Sequence, residues 1–167
     1  LLIFQDIPAV PVREKRPLIA WGDFSNGAQQ DPDERRRIVE DALNDKHDVA
    51  LVCGRYVEGR GYFCAVDIDL PYQEVLRRLK GIDDCITYME STPRGGLHLY
   101  YFAERPVPSK KLADVPVELK GQGSLIIAHP SKGYRPLNDN MPRTIEDAFE
   151  LWREICAALG YDVDDYL

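Results

Sequence analysis

Acidic side chains alternate with apolar ones in the segment 65–70, where Asp67 and Asp69 are the two carboxylates. Successive side chains of a strand point to opposite faces, so these carboxylates share one face, roughly 7 Å apart at about 3.3 Å per residue. Glu118 has the same kind of position between two apolar residues. Three converging carboxylates repel one another unless a cation lies between them, and oxygen-only ligands suit Mg²⁺ or Mn²⁺ rather than zinc. The pattern predicts a metal-dependent site for a phosphate-bearing substrate.

A pair of glycines stands just before a histidine in the segment 91–102. Gly95 and Gly96 precede the apolar run that carries His98, and residues without a Cβ allow the backbone to approach a ligand closely. Arg94 beside them is able to contact a phosphate through two parallel hydrogen bonds. A lone histidine in such a run is more often a hydrogen-bonded sheet residue than a ligand, and only the neighbouring glycines favour phosphate binding.

Lys120 lies two residues after Glu118 and therefore on the same face of the predicted strand. Two interpretations are open. The ammonium group either offsets the charge of a triphosphate or forms an ion pair with Glu118 itself.

The three segments, in this order, resemble the catalytic motifs of the archaeo-eukaryotic primase superfamily, most closely the primase-polymerase (prim-pol) domains of plasmid and phage replication proteins. The family has an apolar strand with Asp-x-Asp, a Gly-Gly-x-His strand and a third strand with one acidic residue. A further similarity follows the apolar run 124–128, where a Pro-Ser pair and a later Gly and Tyr include Ser131 and Tyr134. The resemblance covers about 10–134. The Pro-Ser to Tyr spacing is shorter than in the family, and the third acidic residue is Glu where Asp is also common.

The resemblance implies a DNA primase and polymerase that transfers nucleotides from nucleoside triphosphates under the direction of a single-stranded DNA template and primer. It implies that Asp67, Asp69 and Glu118 hold two divalent cations, Mg²⁺ or Mn²⁺, about 4 Å apart. His98 would bind the phosphates of the incoming nucleotide. The other residues expected to bind the nucleotide are Arg94, Gly95, Gly96, Lys120, Ser131 and Tyr134, the glycines and Ser131 through their N–H groups. A helicase or helix-bundle neighbour on the same polypeptide is a further expectation.

Two other functions remain open. One is a non-catalytic module that binds single-stranded nucleic acid by stacking bases on aromatic side chains, for which Trp21, Tyr100, Tyr101 and Tyr134 are candidates. Three acidic residues on its binding face argue against it, because they would repel phosphate without a metal. The other is a metal-dependent nuclease built on a similar sheet.

The composition sets limits on the domain and its partners. The chain has 167 residues, 44% of them hydrophobic, which is enough for one substantial core, so one domain over 1–167 is expected. Its net charge of −7 argues against binding nucleic acid through overall charge, and any such contact must be local. The four cysteines are scattered and indicate neither a disulfide framework nor a zinc module. No apolar run is long enough to span a membrane, and we expect a cytoplasmic protein.

The order of predicted elements indicates an α/β (α+β) fold with a largely antiparallel sheet and packed helices. The resemblance implies an RRM-like core with a smaller N-terminal α/β lobe, the lobe over about 1–60, the core strands over about 61–135 and a last helix over 144–160. Helices are also predicted over 32–46 and 71–80. Strands are predicted at 49–53 and 62–70 as a hairpin, at 85–90 and 97–102 around a turn, and at 117–119 and 124–128, after an edge strand near 10–12.

Overall fold

The computed structural model describes residues 4–167 and confirms the α+β class. The helices are α1 (Gly22–Ser25), α2 (Pro32–Leu43), α3 (Tyr72–Arg78) and α4 (Ala148–Ala158). The strands are β1 (Ala9–Arg13), β2 (Arg16–Pro17), β3 (Asp48–Val52), β4 (Tyr56–Val57), β5 (Gly61–Ile68), β6 (Met89–Ser91), β7 (Leu97–Ala103), β8 (Val117–Lys120), β9 (Leu125–Ala128), β10 (Arg135–Pro136) and β11 (Arg143–Ile145). No helix among the described residues is long and apolar enough to cross a membrane.

The first sheet has the strand order β2-β1-β3-β9, and its described pairs are antiparallel. β1, predicted as an edge strand, lies between β2 and β3, but β2 covers only its last two residues. Pro11 lacks an N–H, and its carbonyl accepts a hydrogen bond from Leu18 on the β2 side. Because the N–H and C=O of one strand residue point to the same side, the missing donor of Pro11 also lies on that poorly covered side.

The second sheet has the strand order β10-β6-β7-β5, and β4 and β8 share the remaining edge of β5. The elements β5, α3, β6, β7 and β8 follow one another in the chain, and β5 lies in the centre between β7 and β8. This is the RRM-like arrangement that the resemblance implied, except that no helix connects β7 to β8 in the described chain. The predicted turn between β6 and β7 is confirmed.

Several elements differ from the sequence-based expectation. The strand predicted at 85–90 is limited to Met89–Ser91, because Asp83–Cys85 form a short 3₁₀ helix. The predicted hairpin of 49–53 with 62–70 is wrong, because β3 pairs with β1 and β9 while the two-residue β4 pairs with the start of β5. β9 was expected among the core strands but belongs to the first sheet. The last helix begins at Ala148 rather than near 144, because the Asp147 side chain caps it by accepting the N–H groups of Phe149 and Glu150.

The two faces of the second sheet bury different apolar clusters. Alternate residues of β5 and β7, such as Val66 and Leu99, pack with side chains of α3 and α4. The intervening residues, such as Phe63 and Tyr100, pack against side chains of the first sheet, including Leu51. Asp67 continues the series of Phe63 on β5 and therefore lies on the face that looks toward the first sheet.

Candidate active site

Four polar residues form one row across the second sheet. The strand register places Glu90 opposite His98, His98 opposite Asp67, and Asp67 opposite Glu118. Directly opposed residues of antiparallel strands share a face and have close Cβ atoms. The row therefore spans β6, β7, β5 and β8 at the end of the apolar layer between the two sheets.

Asp67 and His98 form the centre of this row. The Nε2 atom of His98 lies 3.1 Å from Oδ1 of Asp67, and the side chain of Asp67 remains 32% exposed while His98 is buried. A carboxylate can only accept, so Nε2 is the donor in this contact. Burial by itself raises the pKa of Asp67, but the hydrogen bond and charge of His98, together with the charges of Lys120 and Lys15, outweigh it and hold the pKa below its ordinary value.

Glu118 is paired with Lys120, whose Nζ atom lies 3.2 Å from Oε2 of the carboxylate. Both side chains are partly buried, each 21% exposed. This is the ion pair that the sequence left open as one of two roles for Lys120. The expected repulsion between the carboxylates is thus offset, because Asp67 and Glu118 each contact a basic side chain.

Asp69 lies just beyond the end of β5, exposed to solvent, and its backbone N–H donates to the carbonyl of Pro116 at 2.8 Å. Among residues 4–167, no group of three His, Cys, Asp or Glu is arranged closely enough to hold a metal ion. The donor chemistry nevertheless suits a hard cation, since Asp67 and Glu118 are opposed across two strands and offer only carboxylate oxygens. By this criterion the residues fit Mg²⁺ or Mn²⁺.

The glycines shape the turn between β6 and β7. The N–H of Gly95 donates to the carbonyl of Thr92 at 2.9 Å, and the N–H of Gly96 donates to the Thr92 hydroxyl at 3.0 Å. A Cβ on Gly96 would lie only 2.7 Å from the carbonyl oxygen of Ile68 at the end of β5. Both N–H groups are engaged within the turn, so their contacts support a structural role, and the expected phosphate contacts through them stay a prediction. Arg94 is exposed at the tip of this turn.

Ser131 connects the segment after β9 to the first sheet by hydrogen bonds. Its hydroxyl donates to the carbonyl of Val49 at 3.1 Å and accepts from the N–H of Val49 at 2.8 Å, and its own N–H donates to Ala128. The residue is 2% exposed. Its polar groups are all engaged within the protein, so its contacts do not support nucleotide binding, which stays a prediction.

Tyr134, in contrast, lies beside the row. Its ring centroid is 5.8 Å from that of His98, with the planes tilted by 40°. Burial, and then the charges of Asp48, Asp67 and Glu90, raises the pKa of Tyr134 to about 12, so the phenol stays protonated near neutral pH. Tyr134 is therefore a direct neighbour of His98 at the row.

Glu90 was not among the predicted site residues, although the sequence contained a signal for it. The turn over 92–96 joins two strands whose register follows from the turn length. Counting back from His98 through this turn places Glu90 opposite the histidine.

Comparison with known protein families gives one finding. The Prim-Pol family, described as "Bifunctional DNA primase/polymerase, N-terminal", matches residues 3–151. The matched range contains the whole polar row and all residues that the sequence predicted for the site. No curated protein matches the chain.

Proposed function

The chain belongs to the family of bifunctional DNA primase/polymerase N-terminal domains, and we propose that it catalyses template-directed nucleotidyl transfer from nucleoside triphosphates with two divalent cations, Mg²⁺ or Mn²⁺. The main support is the row in which Asp67, His98 and Glu118 occupy opposed positions of three adjacent strands. Acidic groups for cations and an N–H donor for phosphates are thereby side by side.

We assign the cations to Asp67 and Glu118, with Asp69 as the third carboxylate. When bound, such cations lower the pKa of an attacking 3′-hydroxyl and neutralise the charge that develops on the phosphates. Asp67 suits this role because its pKa is held below the ordinary value, which keeps the carboxylate ionised in a partly buried position.

His98 and Lys120 supply hydrogen-bond donors for the triphosphate, and Lys120 also supplies positive charge. In the structure each donates to a carboxylate, His98 to Asp67 and Lys120 to Glu118. Phosphate oxygens would accept from these same donors, which releases the two carboxylates. The ion pairs thus keep both sets of groups in place before substrates arrive, and preorganised charges need little rearrangement during the reaction.

A module that only stacks single-stranded nucleic acid is less well supported. Two of the candidate stacking residues, Tyr100 and Tyr101, are 0% exposed and contribute to the core. No observation favours a nuclease over a polymerase, and one assay separates them.

The test incubates the protein with a labelled primer on a DNA template, nucleotides and Mn²⁺ or Mg²⁺. Primer extension that requires the template and is abolished by EDTA is expected. Shortened DNA on the same gel would indicate a nuclease, and unchanged DNA with retained binding would indicate the stacking module. A parallel reaction without primer measures priming.

A further inference from the structure

The buried carboxylate of Glu90 is not used in the chemistry proposed above. It is 0% exposed and lies at the inner end of the polar row. Burying a carboxylate costs free energy unless hydrogen bonds compensate. Its described partners are two phenols and a backbone amide: Tyr88, Tyr100 at 2.9 Å and the N–H of His129 at 3.0 Å.

Tyr100 connects Glu90 to His98. Its hydroxyl lies 2.9 Å from Oε1 of Glu90 and 3.3 Å from Nδ1 of His98. Burial, and then the charge of Glu90, raises the pKa of Tyr100 well above its ordinary range, so the phenol keeps its proton. A phenol has a single proton, and here the carboxylate accepts it, which leaves the phenol oxygen to accept from Nδ1–H of His98.

Packing keeps this connection in place. The ring of Tyr100 contacts the rings of Phe4, Phe63 and Tyr88, with centroids 5.2, 6.1 and 5.4 Å away. With both ring nitrogens engaged, one by Tyr100 and one by Asp67, the imidazole has one orientation that satisfies both contacts. Groups that orient a ligand-binding histidine through its second nitrogen commonly matter for binding although they do not touch the ligand.

We propose that Glu90 is a positioning residue for the nucleotide site: through Tyr100 it holds the His98 ring so that Nδ1–H faces the interior and Nε2–H faces the phosphates. The inference rests on the proposed function for the identity of the ligand. The same carboxylate accepts a hydrogen bond from the N–H of His129, the first residue of the segment between β9 and β10 that contains Tyr134. Glu90 therefore positions both sides of the nucleotide site: the His98 ring through Tyr100, and this segment directly.

Two tyrosines provide a matched pair for the test. Tyr88 and Tyr100 both donate to Glu90 and both contact the ring of Phe4, but the His98 contact belongs to Tyr100. Tyr100→Phe is expected to raise the KM for nucleotide about tenfold, which is the effect of losing one hydrogen bond to a charged group. The kcat is expected to change less than about threefold. Tyr88→Phe is expected to change KM less than about twofold.

The orientation of His98 is measured separately by proton NMR at a single pH. A slowly exchanging Nδ1–H resonance of His98, identified by its absence in His98→Gln, is expected in the wild type and in Tyr88→Phe. It is expected to disappear in Tyr100→Phe and to exchange faster in Glu90→Gln, whose amide oxygen is a weaker acceptor for the Tyr100 hydroxyl than a carboxylate. Glu90→Gln keeps the side-chain shape and carries the test if Tyr100→Phe does not fold, as judged by circular dichroism.

Equal effects of the two tyrosine substitutions on KM, or an Nδ1–H resonance that survives in Tyr100→Phe and exchanges at the wild-type rate in Glu90→Gln, would overturn the positioning role. A wild-type protein that incorporates no nucleotide would instead refute the proposed function. In that case the NMR comparison alone decides whether Glu90 and Tyr100 orient His98.

Discussion

Replacing Asp67 by Asn separates the proposed catalytic role of this residue from its structural role. The substitution keeps the shape and one acceptor oxygen for Nε2 of His98, which lies 3.1 Å away, but it removes the charge that a cation requires. If a cation at this position contributes several kcal/mol to the transition state, as metal ions commonly do, activity should fall by about 10²- to 10³-fold, since each 1.36 kcal/mol is a factor of ten.

The expected loss of stability is much smaller. Asp67 is 32% exposed, so solvent screens its ion pair, and a contact of this kind contributes about 1 kcal/mol or less. For a chain of this size that corresponds to a decrease in Tm of about 2–4 °C. Activity should therefore fall strongly because the charge is lost, whereas Tm should change little because the Asp67 carboxylate is partly exposed.

The assay compares primer extension at saturating Mn²⁺ and nucleotide with thermal unfolding of the same preparations. Glu74→Gln serves as the control, because it also removes one carboxylate of an ion pair, with Arg77 on α3, outside the polar row. It should extend primers like the wild type. Near-normal extension by Asp67→Asn, or a fall in Tm large enough to unfold the protein at the assay temperature, would refute the reasoning.

Three further predictions concern the nucleotide, the DNA and pH. His98→Gln should raise the KM for nucleotide at least tenfold and leave DNA affinity, measured by fluorescence anisotropy, within about twofold. Binding of single-stranded DNA should be weak, and a plot of the logarithm of the binding constant against the logarithm of the salt concentration should have a slope of only a few units. Lys15 lies near Asp67, and Lys15→Gln should reduce that slope by about 0.7 if Lys15 contacts a phosphate. Urea unfolding should show stability lost on both sides of neutral pH. On the acid side, the pKa of Asp67 is lowered in the folded protein, so its contribution to stability is present above the unfolded pKa of about 3.9 and disappears as pH falls through the folded pKa. On the alkaline side, the pKa values of Cys53 and Tyr134 are both raised to about 12. Their contributions are present below about pH 9 for Cys53 and about pH 10 for Tyr134, and they are lost as pH rises toward 12.

The faces that carry Asp67 and His98 could be predicted from the sequence because the relevant structure is local. Alternation along β5 and β7 assigns Asp67 and His98 to definite faces, and a short turn joins β6 to β7. Because a short loop sets the register of β6 and β7, the residue opposite His98 can be found by counting back through the loop. The sequence therefore contained the information that identifies Glu90, although this residue was not among the predicted site residues.

The placement of β9 and of Ser131 could not be predicted in the same way. β3 and β9 are short apolar runs, and an apolar run does not identify its partner strand. β9 follows β8 in the chain, yet it pairs with β3 in the other sheet, a contact between residues more than 70 positions apart. Ser131 then bonds to Val49 of β3, so its role depends on that long-range pairing.

The acidic composition and the proposed phosphate chemistry are compatible because every carboxylate of the row has hydrogen-bond donors within the protein. Glu90 accepts from two phenols and an amide, Asp67 from His98, and Glu118 from Lys120. The site can therefore be partly buried without a bound cation, although the whole chain carries a net charge of −7. A triphosphate would take the place of the carboxylates as the partner of His98 and Lys120, and the cations would take the place of these two side chains as partners of Asp67 and Glu118. We therefore expect nucleotide and cation to bind with positive coupling, since either one alone leaves an unpaired charge in the row. Calorimetric titration of nucleotide with and without Mn²⁺ measures that coupling, and independent affinities would contradict the exchange of partners.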